Sequence, residues 1–439
     1  MSSYAVRKTP GDTAWFCRDR FGLFLHWGLY ALPARHEWVK TNEKMTDAQY
    51  DRYFRRFDPD LYDARAWARA AKAAGMKYAV LTTKHHEGFC LFDSQYTDYK
   101  ATNTPAGRDL VREYVDAFRA EGLRIGFYYS LIDWHHPDFP VDSIHPLRDD
   151  PRGEQLNEGR DMRRYAQYMR NQVTELLTNY GKIDILWFDF SYPNGMWSMD
   201  KAWQKGKGSA DWESDALIAT ARAIQPHLII NGRAGVEQDL ATPEQYQVTE
   251  WMTHPETGEK VIWEANHTFS GSWGYHRDES TWKSPEMLIR LLINTVSLGG
   301  NLLMNVGPTA RGEFDARAVA ALGVYGDWMR YHARAIYGCT MAEPGIVAPP
   351  DCRFTQSADG KRLYLHLLAY PFAHVQLPGL GGRVEYAQFL HDSSEVTLTE
   401  GHVDHFSEGA ARAEGLLVLN IPPVKPPVTV PVIELFLKE

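Results

Sequence analysis

The sequence predicts an α/β fold: a (β/α)8-like TIM barrel followed by a C-terminal all-β sandwich. Three observations carry the prediction. From about residue 21 to residue 333, short apolar runs of β type alternate with segments whose apolar residues recur every three to four positions, the order of βα units around a parallel sheet. Beyond about Gly338 the helical period is lost, and short alternating runs follow, separated by Pro, Gly and Asp. The length of 439 residues exceeds one ordinary core but suits a barrel of about 250 residues or more with a smaller companion. The expected division is 1–338 for the barrel and 339–439 for the sandwich.

In chain order, the predicted barrel strands are F-G-L-F-L-H-W (21–27), Y-A-V-L-T-T-K (78–84), R-I-G-F-Y-Y-S (124–130), I-D-I-L-W-F-D (183–189), L-I-I-N-G-R (228–233) and N-L-L-M-N-V (301–306). Helical spacing is expected over Ala64 to Ala74, Gly107 to Glu121, Met162 to Tyr180, Asp215 to Ile224 and Ser284 to Leu298. Between Arg233 and Asn301 two further strands are required, and Tyr246 to Trp251 and Val261 to Glu264 are the candidates. In the C-terminal part the runs 363–369, 387–390, 415–420 and 432–437 read as sandwich strands, and the prolines from Pro422 to Pro431 as an edge turn rather than a linker.

Composition removes several function classes. With 47 Lys+Arg against 56 Asp+Glu the net charge is -9, and no basic stripe interrupts it, so a nucleic-acid partner has no electrostatic support. Cys17, Cys90, Cys339 and Cys352 show neither C-x-x-C nor metal-ligand spacing, which points to a reducing compartment. No run approaches the ~18 apolar residues of a membrane span. A cytoplasmic protein is expected, or a periplasmic or secreted one if a signal peptide has been removed. Neither a membrane nor a cofactor is expected as partner, and homo-oligomerisation is left open. The 14 Trp and 23 Tyr exceed what core filling asks for; flat faces that stack on sugar rings would use the surplus.

The chemistry concentrates at strand ends. K-I-D-I-L-W-F-D-F (182–190) is an apolar run that finishes on Asp189 beside Trp187, where a sugar-cleaving barrel places a nucleophile. If the strands are parallel, His26, His85, His86, Tyr129, Trp187 and Arg233 converge with Asp189 on one rim. Paired histidines also invite a metal reading, but neighbours on a strand point to opposite faces, and no H-E-x-x-H occurs, so no metal is expected. A nucleophile of this kind needs a second carboxyl group as proton donor. Glu244 in A-T-P-E-Q and Glu264 in V-I-W-E-A are the candidates, while Glu37 in H-E-W reads as a ligand to sugar hydroxyls.

These motifs, F-G-L-F-L-H-W-G-L-Y with P-A-R-H-E-W, T-T-K-H-H-E-G-F, G-F-Y-Y-S, D-I-L-W-F-D, I-N-G-R and S-W-G-Y, resemble the α-L-fucosidases of glycoside hydrolase family 29. The resemblance implies a barrel with a C-terminal sandwich and retaining, metal-free cleavage of terminal α-L-fucosyl linkages in fucosylated oligosaccharides or glycoconjugates. It implies Asp189 as nucleophile, Glu244 as acid/base with Glu264 as the fallback, and a fucose pocket of His26, Glu37, Trp38, His85, His86, Tyr129, Trp187 and Arg233. Trp27, Phe89 or Phe190 is expected to face the sugar's methyl group, and His135 and His136 to border the leaving group. The chain has N-G-R where the family often has N-D-R, so any role of that aspartate is absent. Two other readings compete: a retaining glycosidase of other specificity, such as an α-galactosidase, and a non-catalytic sugar-binding protein. A panel of aryl glycosides separates them.

Overall fold

The computed structural model describes residues 6–197, 200–401 and 415–438. Seven parallel strands form the main sheet: β1 (Phe21–Leu25), β2 (Tyr78–Lys84), β3 (Arg124–Ser130), β4 (Ile185–Asp189), β5 (Ile229–Ile230), β6 (Glu264–Thr268) and β7 (Asn301–Val306). Their order is β5-β4-β3-β2-β1-β7-β6. Helices Ala64–Ala73, Leu110–Ala120, Met162–Asn179, Ser214–Ile224, Pro285–Ser297 and Ala316–His332 occupy the connections. Side-chain oxygens of Asp63, Asp109, Asp161 and Ser284 cap four of them, accepting the otherwise orphaned first-turn N–H groups.

The edges β5 and β6 are joined by an irregular eighth stave, residues 239–245. Asp239 N donates to Ile230 O at 2.9 Å and Gly232 N to Leu240 O at 3.1 Å on one side; Glu264 N donates to Ala241 O at 2.9 Å and Asn266 N to Pro243 O at 3.1 Å on the other. Pro243 has no N–H, which is why this segment makes isolated bridges rather than a continuous ladder. The sequence placed the missing strands elsewhere. Tyr246 to Trp251 is not a strand, and Glu264 begins β6 instead of ending a strand there. The run E-A-N-H-T is polar yet buried throughout, so hydrophobicity gave no sign of it.

The barrel's interior is filled by Phe24, Tyr78, Val80, Tyr128, Ile185, Trp187 and Leu303. Tyr78 lies across the strand next to it: a Cβ on Gly22 would sit 2.3 Å from the Tyr78 ring. Gly22→Ala is therefore expected to lower stability by about 1–3 kcal/mol through overpacking, read as a lower urea midpoint with unchanged slope.

From residue 339 onward the strands are antiparallel, in a five-stranded sheet (β12-β15-β10-β9-β8) and a three-stranded one (β11-β14-β13). These are β8 (Cys339–Met341), β9 (Cys352–Ser357), β10 (Arg362–Leu367), β11 (His374–Pro378), β12 (Val384–Phe389), β13 (Thr397–Glu400), β14 (Leu416–Asn420) and β15 (Val432–Leu437). Leu365, Leu377, Leu419 and Ile433 from both sheets share one core. The Pro422–431 stretch is tied to the barrel, since Trp328 Nε1 donates to Val430 O at 3.0 Å. Among the described residues no helix is long and apolar enough to cross a membrane.

Candidate active site

Asp189, Glu244, His26, Glu37, Trp38, His85, His86, Trp187 and Arg233 line one narrow pocket at the carboxyl ends of the strands, whereas Tyr129 and Glu264 do not. Its chemical centre is Asp189, the last residue of β4. Tyr128 donates its hydroxyl to Asp189 Oδ2 at 2.9 Å, and Arg233 Nη1 donates to Asp189 Oδ1 at 3.0 Å. The same Nη1 lies 2.7 Å from Glu244 Oε2. One guanidinium nitrogen thus bridges both carboxylates, and those two oxygens cannot be more than about 6 Å apart, the two distances laid end to end. Arg233 is fixed in turn by Thr242, through Nε to Oγ1 at 2.9 Å and Nη2 to the carbonyl at 3.1 Å, and rests over the Trp187 ring at 4.6 Å. Burial pulls its pKa down, but Asp189 and Glu244 outweigh burial and raise it.

The histidines are set as acceptors. Asn305 Nδ2 donates to Trp273 O at 2.6 Å, which fixes the amide so that Oδ1 meets His26 Nδ1 at 2.7 Å. His26 Nδ1 must then carry the proton, leaving Nε2 with a lone pair. His86 Nδ1 meets Ser130 Oγ at 2.7 Å, whose own hydrogen goes to Ile132 O at 3.0 Å, so His86 has the same tautomer. Burial, followed by the neighbouring His85, holds both well below the usual histidine range, so both are neutral at pH 7. Glu37, fully buried, accepts Gly274 N at 2.8 Å, and the Trp38 ring sits 5.0 Å from both His86 and Phe190.

Several expectations are corrected. Tyr129 faces the surrounding helices, donating to Gln172 Oε1 at 2.7 Å, and Tyr128 holds the inward position. The signal was available: Ile125, Phe127 and Tyr129 form the continuous apolar set that meets helices, whereas Gly126, Tyr128 and Ser130 alternate with them toward the interior. Tyr128→Phe is expected to cut kcat by about tenfold or more, while Tyr129→Phe leaves kcat unchanged and costs roughly 1 kcal/mol of stability. Steady-state rates and denaturant melts on the pair check this. Glu264 lies at the opposite end of the barrel from the rim, accepting from Tyr78 and Trp187. Trp27 packs on Phe57, Tyr62 and Trp67, and Phe89 on Phe57 and Tyr99, so neither faces the pocket. The apolar wall is Phe24, Trp187 and Trp273, with Phe190 at the rim. His135 stacks on Tyr99 at 3.8 Å and His136 packs at a tilt against Tyr168 at 4.2 Å, away from the pocket. Sequence reasoning also missed Trp273 and Asn266, which lie where the sixth and seventh staves were unplaced.

Beyond the pocket, a wider cleft of about 800 Å³ opens off Asp189 and Glu244, lined by Tyr192, Pro193, Met196, Ser209 and Asp211. Among the described residues no group of three or more His, Cys, Asp or Glu could hold a metal ion.

Comparison with known proteins agrees with this geometry. The family described as Alpha-L-fucosidase matches residues 3–334. Human plasma alpha-L-fucosidase is 30% identical over 406 residues, covering 84% of this chain and 78% of its own length. Alpha-L-fucosidase isoenzyme 1 from Paenibacillus thiaminolyticus superposes with a TM-score of 0.89 at 46% identity, covering 98% of this chain and 99% of that one. A GH29 alpha-L-fucosidase from Bacteroides thetaiotaomicron, solved as a trapped covalent intermediate with 2-fluoro-fucosyl fluoride in a glutamate-to-glutamine mutant, gives 0.81 at 26% identity over 100% of this chain and 99% of that one. A buried aspartate at a strand end, a second carboxylate on the same arginine and an aromatic-walled pocket thus coincide with a match over most of the barrel: the chain belongs to the α-L-fucosidase family of glycoside hydrolases.

Proposed function

We propose that this chain is a retaining, exo-acting α-L-fucosidase that removes terminal α-L-fucosyl groups from glycans through a covalent fucosyl-enzyme. Asp189 attacks the anomeric carbon, while Glu244 protonates the departing oxygen and then takes a proton from the water that releases fucose. The observation that carries this reading is the shared Arg233 contact. It keeps Asp189 Oδ1 and Glu244 Oε2 within about 6 Å of each other, which is compatible with the ~5–5.5 Å between the carboxyl groups of retaining pairs. Glu264 is a poor alternative as acid because it sits behind Trp187 and does not line the pocket. The Bacteroides relative supports the scheme: its intermediate was trapped in a glutamate-to-glutamine mutant, as expected when the base of the second step is removed.

In this reading the narrow pocket receives the fucosyl ring. His26 and His86 supply acceptors to its hydroxyls, and Phe24, Trp187 and Trp273 give the pocket an aromatic wall against which the methyl group of a 6-deoxy sugar would pack. The wider cleft on the Glu244 side would take the sugar that carries the fucose. Residues 1–338 form the catalytic unit in this reading and 339–439 its β-sandwich companion. The test is incubation with a 2-deoxy-2-fluoro fucoside followed by peptide mass mapping. Label on Asp189 is expected; label on another residue, or inversion of the released anomer by NMR, overturns the proposal.

A further inference from the structure

Glu264 has no part in the proposed reaction, yet the barrel is built around it. It is fully buried; Oε2 accepts the Tyr78 hydroxyl at 2.6 Å and Oε1 the Trp187 indole N–H at 3.3 Å. Among the described residues no Lys, Arg or His pairs with it, and an acid buried without a countercharge is costly. What it touches suggests why it is there. Trp187 carries Arg233 over its ring at 4.6 Å and stacks on Tyr128 at 5.7 Å, and these are the two side chains that donate to Asp189.

We propose that Glu264 is a positioning residue whose carboxylate fixes the Trp187 indole and enriches its π-face in electron density, supporting both Arg233 and the cationic sugar of the transition state. The physical basis is ordinary. An N–H bonded to an anion is polarised toward the ring, the ring face attracts cations, and a dry interior magnifies both effects. The transition state is oxocarbenium-like, so the benefit appears in kcat more than in KM. This role rests on the Asp189 and Glu244 reading, but its first test does not.

Burial raises the Glu264 pKa to about 7, against the opposing pull of the Tyr78 and Trp187 hydrogen bonds. The titratable and charged groups near it are few. Tyr78 is held neutral by its own burial and by the Glu264 charge, Arg20, Cys17 and Asp19 lie beyond Tyr78, and Arg233 lies across the indole. The carboxylate, and with it the support to Trp187, is therefore present above this pKa and lost as pH falls through it.

With 15N-indole-labelled protein, the Trp187 N–H resonance, assigned with Trp187→Phe, should titrate with a midpoint near 7 and stop doing so in Glu264→Gln. On p-nitrophenyl α-L-fucoside, the ratio of wild-type to Glu264→Gln kcat should climb from near unity below about pH 6 to about tenfold above about pH 8, with KM moving less. Taking the ratio cancels any pH dependence that the two proteins share. A purely structural residue would lower the melting temperature and give a ratio flat in pH. An indole resonance that ignores pH, or a flat ratio, overturns the proposal, and if Glu264→Gln does not fold, the wild-type titration decides alone. Should the indole titrate as expected while Asp189→Ala keeps its activity, the catalytic reading fails and the Glu264–Trp187 linkage stands.

Discussion

Asp189→Ala is expected to abolish turnover, by roughly four orders of magnitude in kcat on p-nitrophenyl α-L-fucoside, because no covalent intermediate can form without the carboxylate. The fold should survive. Asp189 is removed from a site where Arg233 keeps Glu244 as a partner at 2.7 Å, so no guanidinium is stranded without an anion. Tyr128 loses its acceptor, a cost of roughly 1–3 kcal/mol against a large barrel core. The space vacated lies between the Tyr128 hydroxyl and Arg233 Nη1, two donors that would bind a small anion. Azide or formate should therefore restore part of the rate, azide by attacking from the vacated face to give the fucosyl azide of inverted configuration. Activity unimpaired by the substitution, or azide rescue that gives no fucosyl azide of inverted configuration, sinks the nucleophile assignment.

How far the sequence could be read depended on how far each feature is local. β2, β3 and β7 coincide with the predicted runs because their apolar content continues on both faces, one meeting helices and one the barrel interior. Asp189, Trp187 and Arg233 were legible because each ends or follows such a run. Tyr128 was passed over for Tyr129 although the alternation along the strand carried the parity, because an error of one residue exchanges the pocket for the helix layer and Y-Y offers the same side chain on both sides. The eighth stave was hidden for a different reason. Residues 239–245 gain their extended shape from the strands beside them, and A-T-P-E-Q has no β signature of its own. Glu264 was misjudged for the same cause, because a polar strand inside a barrel looks like a loop until its neighbours are known.

Glu244 stands on that stave, and its substitution distinguishes acid catalysis from mere binding. In the first step the leaving oxygen of a glycan has a high pKa and cannot depart without a proton, whereas p-nitrophenolate needs little help. Glu244→Ala should therefore reduce kcat/KM on a fucosylated oligosaccharide by roughly 10²–10⁴-fold, the range of a lost general acid. The aryl fucoside should lose far less in that first step and accumulate a fucosyl-enzyme, because the second step has lost its base, giving a burst of p-nitrophenol followed by slow turnover. Added azide needs no base and should speed that slow phase, here with retention, the opposite outcome to the Asp189 variant. The side chain is more exposed than Asp189, at 39% against 12%, so it can move to reach the leaving oxygen without breaking the core. Removing it also frees Arg233 Nη1 to bind Asp189 more closely, which makes the nucleophile a weaker attacker and adds a modest loss common to both substrates. The diagnostic is accordingly the ratio between substrates, not the absolute rate: equal losses on glycan and aryl fucoside, with no burst and no azide acceleration, would show that Glu244 only braces Arg233.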